Sequence, residues 1–232
     1  MSIFGTLTNN GLEEAKDVLG GSYLLESGIY EATIKSAYAG ESSGGALSVS
    51  FIFDVNGKEH RETMYVTNKE KDNFYVKNKK KYPLPGFTTV NDICLIATGE
   101  PLSAQESEPK VIKLYDYNLK AEANKEVPML TALLGKKVAL GIFKQVENKS
   151  KKNDQTGKYE PTEETRELNV IDKIFHPEAH LTVAEALAGK TEPVFWDKWI
   201  KQNEGKVRDR CTFRGPKKSN GSEQPAHKSL FG

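Results

Sequence analysis

Between residues 28 and 67 apolar and polar side chains alternate with a period of two, which predicts three consecutive antiparallel strands. The runs are GIYEATIKSAY (28–38), ALSVSFIFDV (46–55) and KEHRETMYVT (58–67), with Ser42-Ser43-Gly44-Gly45 ahead of the second and Asn56-Gly57 ahead of the third. Asn-Gly favours a two-residue type I′ turn because both positions tolerate positive φ. That turn fixes the expected register: Val55 opposite Lys58, Phe53 opposite His60, Ile52 opposite Arg61 and Ser48 opposite Tyr65. Leu47, Val49, Phe51, Phe53, Met64 and Val66 then share the core face, while Ser48, Ser50, Ile52, Arg61, Thr63 and Tyr65 share the other.

Further along, TTVNDICLIAT (88–98) has helical spacing with a buried side that takes in Cys94, and Gly99 and Pro101 end it. A polar, proline-containing insert with one short strand over 111–117 separates it from KKVALGIFKQVE (136–147), the expected fourth strand. There Val138, Leu140 and Ile142 fall on one side and Phe143 on the other. The fifth strand is TRELNVIDKIF (165–175), and the polar stretch between the two reads as a long, mobile hairpin tip. After Leu181 the spacing turns helical twice, in VAEAL and in EPVFWDKWIKQ, whose Phe195, Trp196 and Trp199 form an apolar stripe that reads as packing rather than binding. The expected organisation is an N-terminal segment (1–24), a five-stranded domain (25–180), capping helices (181–204) and a disordered basic tail (205–232).

Composition narrows the class. The 232 residues are 37% hydrophobic and 28% charged, ordinary for one elaborated soluble domain. No apolar run reaches the length of a membrane span, and the first residues lack the basic and apolar blocks of a secretory signal, so the expected location is cytoplasmic. Two distant cysteines, Cys94 and Cys211, suit a reducing compartment, which leaves Asn148-Lys149-Ser150 a formal glycosylation match only. The net charge of +1 hides a polarity: residues 1–200 carry 25 basic and 29 acidic groups, residues 201–232 carry 8 and 3.

The segment NKEKDNFYVKNKKKYPLPGF (68–87) carries the most specific chemistry, with six lysines interleaved with four aromatics. Lysines spaced along a chain neutralise phosphates, and Phe74, Tyr75 and Tyr82 offer faces on which unpaired bases stack. A solvated, lysine-rich loop has the same composition. Candidate nucleic-acid contacts are therefore Arg61 and Tyr65 on the strand floor; Phe74, Tyr75, Lys77, Lys79, Lys80, Lys81 and Tyr82 in the loop; and Phe143, Lys144, Lys158 and Tyr159 along the fourth strand and its hairpin, at the other end of the fold.

No catalytic constellation emerges. His176 and His180 have i, i+4 spacing but a proline between them and no third ligand, so neither a metal nor a cofactor is expected. Gly157-Lys158 lacks the glycines of a phosphate-binding loop, and no serine or cysteine sits in a nucleophile elbow. A binding protein ranks ahead of a protein-protein adaptor, and a metal-dependent nuclease ranks third.

Three meandering strands, a helical region and two further strands, with basic aromatic loops, is the order of an OB-fold barrel, so the expected class is mainly β with added helices. GIYEATI, SVSFIFDVNGKEHRETMYVTN, YPLPGF and LLGKKVALGIF leading to a lysine-rich hairpin and TRELNVIDKIF resemble, over residues 25–180, the single-stranded DNA-binding proteins of tailed bacteriophages. The resemblance implies an OB-fold protein that coats single-stranded DNA without base specificity during phage replication, recombination or repair in the infected cell, with phage replication proteins as further partners. Many such proteins end in an acidic tail closed by an aromatic residue. Here His227-Lys228-Ser229-Leu230-Phe231-Gly232 keeps the phenylalanine and reverses the charge, so this tail is expected to add affinity by counterion release, for duplex DNA as well.

Overall fold

A computed structural model describes residues 24–116 and 119–213, and it is mainly β. The expected meander is present as β1 (Gly28–Glu41), β2 (Leu47–Val55) and β3 (Lys58–Tyr65). Asn56 and Gly57 sit at φ 53° and 77°, and the register is the one the turn dictates, from Val55 opposite Lys58 to Ser48 opposite Tyr65. Val49, Phe51, Phe53, Met64 and Val66 are buried; Leu47, at the end of its strand, is not.

β3 leads into a small hairpin, β4 (Phe74–Lys77) and β5 (Lys80–Pro83), and then into α1 (Pro85–Thr98). The helix begins three residues earlier than its apolar spacing indicates, because Pro85 is pre-set for a first helical position. Gly99 ends it in the left-handed conformation, its N–H returning to the Leu95 carbonyl. Val90, Ile93 and Cys94 enter the core, where burial pushes the Cys94 thiol up to about 12.

The expected polar insert is a second hairpin, β6 (Glu108–Asp116) with β7 (Ala121–Met129), joined to the body through Met129 opposite Tyr38. Its strands carry charges on both faces because little of them packs on the core, so alternation is weak. β8 (Lys137–Lys152) and β9 (Tyr159–Phe175) pair along almost their whole length, ending at Lys152 opposite Tyr159. The mobile tip expected between them is thus largely a paired arm, and only residues 153–158 form its turn.

α2 (Val183–Leu187) starts with a capping box between Thr182 and Glu185, and the Glu185 carboxylate also accepts the Phe195 N–H at 2.9 Å, fixing the start of α3 (Val194–Asn203). Trp199 of α3 is buried against β8, as its helical stripe implies. It can lie there because Gly141 has no side chain: a Cβ would come within 3.2 Å of the indole. The indole N–H donates to Asp172 at 2.9 Å.

Two expectations are corrected. Among the described residues the strands do not close into a five-stranded barrel: the order is β9-β8-β1-β2-β3, and the sheet stays open between β3 and β9. The tail does not become disordered at residue 205. Val207–Asp209 forms β10, parallel to Lys144–Val146 of β8, and Asn148 binds the Thr212 and Phe213 backbone through 2.8–3.0 Å contacts. Polar side chains hold this strand, so no hydrophobic pattern announces it. Residues 214–232, the rest of the expected tail, lie outside the described residues, as do 1–23.

Candidate nucleic-acid interface

The basic aromatic segment is a built hairpin. Asn68 opens it by closing a five-residue loop, its side-chain oxygen accepting the Asp72 N–H at 2.8 Å, and Leu84 N–H closes the hairpin's base on the Asn73 carbonyl at 2.9 Å. Asn78 and Lys79, at φ 53° and 62°, form the two-residue turn. The register puts Tyr75 opposite Tyr82 and Lys77 opposite Lys80, so these four share one face; Phe74, Val76, Lys81 and Pro83 share the other.

The two tyrosine rings stack at 5.7 Å with 25° between their planes, and each keeps much of its surface in water, at 45% and 39% exposure. Across the hairpin the Lys81 ammonium sits 4.1 Å from the centroid of the Phe74 ring. Among the described residues Lys77, Lys79, Lys80 and Lys81 form no ion pair, whereas Lys71 and Lys69, nearer the body, are matched by Glu41 and Glu70. Four uncompensated cations around an exposed aromatic pair make a local positive field with flat apolar surface inside it.

Tyr65 lies at the base of this hairpin, 53% exposed, in the last position of β3. Gly86 ties the two together: a Cβ there would fall 2.2 Å from the Tyr65 carbonyl oxygen, so only glycine allows α1 to start against this strand. Arg61 shares the Tyr65 face four residues away, roughly 13 Å along the strand, and forms an exposed ion pair with Glu59 at 2.7 Å.

The remaining candidates lie elsewhere. Phe143 is half-buried, with Trp199 at 5.3 Å and the Arg208 guanidinium at 4.1 Å from its ring, so its faces are largely engaged in packing. Lys144 is paired with Glu26 at 2.8 Å, a hydrogen bond that raises its pKa. Lys158 and the 73%-exposed Tyr159 stand at the end of the β8–β9 arm. That arm extends past Gly28, where β1 begins, whereas the β4–β5 hairpin follows Tyr65 at the opposite end of the strands. The structure thus gathers Tyr65, Phe74, Tyr75, Lys77, Lys79, Lys80, Lys81 and Tyr82 into one region and leaves the arm as a separate one.

Sequence reasoning overlooked Gly86 and Arg208. The Pro85-Gly86 pair that opens the helix is a signal for the first; Arg208 gives none, because its partners Gln145 and Asp172 are distant in sequence. His176 accepts N–H groups of the turn after it and His180 stacks on Trp196 at 4.0 Å, and among the described residues no group of three metal-ligating side chains exists. No helix among them is long and apolar enough to cross a membrane. Comparison with protein families, curated proteins and solved structures finds no match to this chain.

Proposed function

We propose that this protein binds single-stranded DNA without base specificity and coats it during phage DNA replication, recombination or repair. The observation that carries the reading is the exposed Tyr75–Tyr82 pair set among four lysines that have no ion-pair partner among the described residues. Stacking accepts any base, and the ammonium groups between the rings and the hairpin turn neutralise the backbone phosphates. The strand order adds support. Neighbours run β3-β2-β1-β8-β9 with α1 between β3 and β8, the connectivity of an OB-fold opened at the seam between its third and fifth strands.

In this reading Tyr65 extends the stacking surface from the hairpin onto the sheet, and Arg61 contacts phosphate once it leaves Glu59. Lys158 and Tyr159 give the arm a second, independent contact, and the basic residues beyond Phe213 add sequence-independent affinity that extends to duplex. The test is fluorescence anisotropy with labelled oligo(dT) and a matched duplex at several salt concentrations. Tight, salt-sensitive binding that favours oligo(dT) supports the proposal, and equal binding to both assigns the affinity to a general basic surface. No binding at low salt refutes it and favours a protein-protein adaptor, for which the exposed Val111 and Tyr115 of the β6–β7 hairpin offer a surface.

A further inference from the structure

α2 wears its residues inside out. Its one carboxylate, Glu185, is 6% exposed, while Leu187 at its end is 83% exposed, the most of any large apolar side chain among the described residues. Glu185 faces inward because its carboxylate accepts the Thr182 and Phe195 N–H groups, capping one helix and seating the next. Two residues further on a helix has turned by about 200°, so the contacts that hold Glu185 inside direct Leu187 to water. Packing alone would favour the reverse, and a leucine kept outside marks a surface that something covers.

Leu187 lines two adjoining clefts. One, of about 550 Å³, has Leu95, Ile96, Leu181 and Ala186 in its walls; the other, of about 380 Å³, has Ile174, Ala184 and Phe195, and Val183 lines both. The small side chains of Ala184 and Ala186 leave this space beside α2 unfilled. The rim is cationic: Lys173 borders the second cleft, and Lys190 and Lys198 border a third that shares Ala184 and Phe195 with it. Among the described residues none of these three lysines forms an ion pair. The two carboxylates in the same walls are less free. Glu185 is taken up by its caps, and burial pushes the Asp92 carboxyl up, with Lys173 opposing it. An apolar groove edged by ammonium groups complements an acidic segment that carries apolar side chains.

We propose that this groove docks a partner protein through an acidic segment, whose apolar side chains fill the clefts beside Leu187 and whose carboxylates meet Lys173, Lys190 and Lys198. Phe195 is the one phenylalanine, tyrosine or tryptophan in these walls, so the groove lacks the row of rings that a single strand stacks on. It also lies apart from the β4–β5 hairpin. Gly86, at the start of α1, sits against Tyr65, and Leu95 is about 14 Å further along the helix. The docking surface therefore stands independently of what the hairpin binds.

Peptide display on the full chain tests this. A library of random peptides about 16 residues long, enough to cross the groove as a helix of about 24 Å, is selected on the immobilised protein and depleted on the Leu187→Asp variant. The depletion removes peptides that bind the basic hairpin or any other surface. The surviving peptides should be rich in Asp and Glu and carry at least two large apolar residues. A labelled synthetic copy of the most enriched one should bind Leu187→Asp and K190E/K198E at least tenfold more weakly than the parent in an anisotropy titration. All three side chains are exposed, so both variants should keep the parent's circular dichroism and melting temperature. No peptide that separates the parent from Leu187→Asp, survivors that are basic or uncharged, or binding unchanged in K190E/K198E overturns the proposal. So does a parent that sediments as a dimer while Leu187→Asp is a monomer, which assigns the groove to a second copy, or displacement of the peptide by oligo(dT), which assigns it to nucleic acid.

Discussion

Replacing Tyr75 separates stacking from charge at the β4–β5 hairpin. Each base stacked on an aromatic ring contributes roughly 1–3 kcal/mol, so Tyr75→Ala should weaken binding to oligo(dT) about 5- to 150-fold, since 1.4 kcal/mol is a factor of ten. The variant removes no positive charge, so its salt dependence should stay that of the parent. Lys79→Ala should do the reverse, lowering the slope of log K against log salt by up to about 0.7, the contribution of one phosphate on a single strand. Tyr75 and Tyr82 also form a direct cross-strand pair, and such pairs stabilise a sheet by roughly 0.2–1 kcal/mol. Loss of binding in Tyr75→Ala could therefore come from a loosened hairpin, and Tyr75→Phe and Tyr75→Leu distinguish the two causes. Phenylalanine keeps the ring and should keep most of the affinity; leucine keeps apolar cross-strand contact without a flat face and should lose affinity as alanine does. The assay is anisotropy titration of labelled oligo(dT) over a series of salt concentrations, with circular dichroism to confirm the fold. Unchanged affinity in Tyr75→Ala, Tyr82→Ala and Lys79→Ala together would remove the hairpin from the site, and full affinity in Tyr75→Leu would refute stacking.

Three further outcomes are expected. Gly86→Ala places a methyl group 2.2 Å from the Tyr65 carbonyl oxygen, so α1 or the end of β3 must shift; overpacking of this kind costs about 1–3 kcal/mol, and a melting temperature within a degree of the parent's would contradict the contact. Ending the chain after Phe213 should leave the melting temperature unchanged and reduce the salt slope, whereas ending it at Gly205 also removes Arg208 and its bonds to Gln145 and Asp172 and should lower the melting temperature; equal melting of the two shortened chains would show that β10 contributes nothing. Burial by itself would raise the Glu185 pKa, but hydrogen bonds from Phe195 and Thr182 outweigh it and hold the carboxyl below its ordinary value. Its stabilising effect is therefore present above pH about 4.3 and is lost as pH falls through the lowered folded value. Glu185→Gln should destabilise the protein by about 1–2 kcal/mol at pH 7, and thermal melts should show that gap closing in acid; a gap independent of pH would refute the assignment.

Much of this protein was decided locally. The period-two runs and the Asn56-Gly57 turn were enough to place β1, β2 and β3 in register, because shifting an alternating strand by one residue would turn its whole apolar set outward. The stretch around Cys94 was legible as a buried helix from its helical spacing and the Gly99 stop, and the crowding of lysine and tyrosine over residues 74–82 marked the candidate surface. Elements held by polar or backbone contacts were not legible. β6, β7 and the outer half of the β8–β9 arm bury little, so their ladders leave no hydrophobic trace. β10 depends on Arg208, Asn148 and Ser27 meeting groups far away in sequence. Tertiary structure alone packed Phe143 against Trp199 and Arg208, matched Lys144 with Glu26, and set Tyr75 against Tyr82. Among the described residues it also left β3 and β9 without a backbone ladder between them, linked instead by the Ile171 N–H on the Glu62 carboxylate, since the alternation that makes a strand does not specify which edge it will meet.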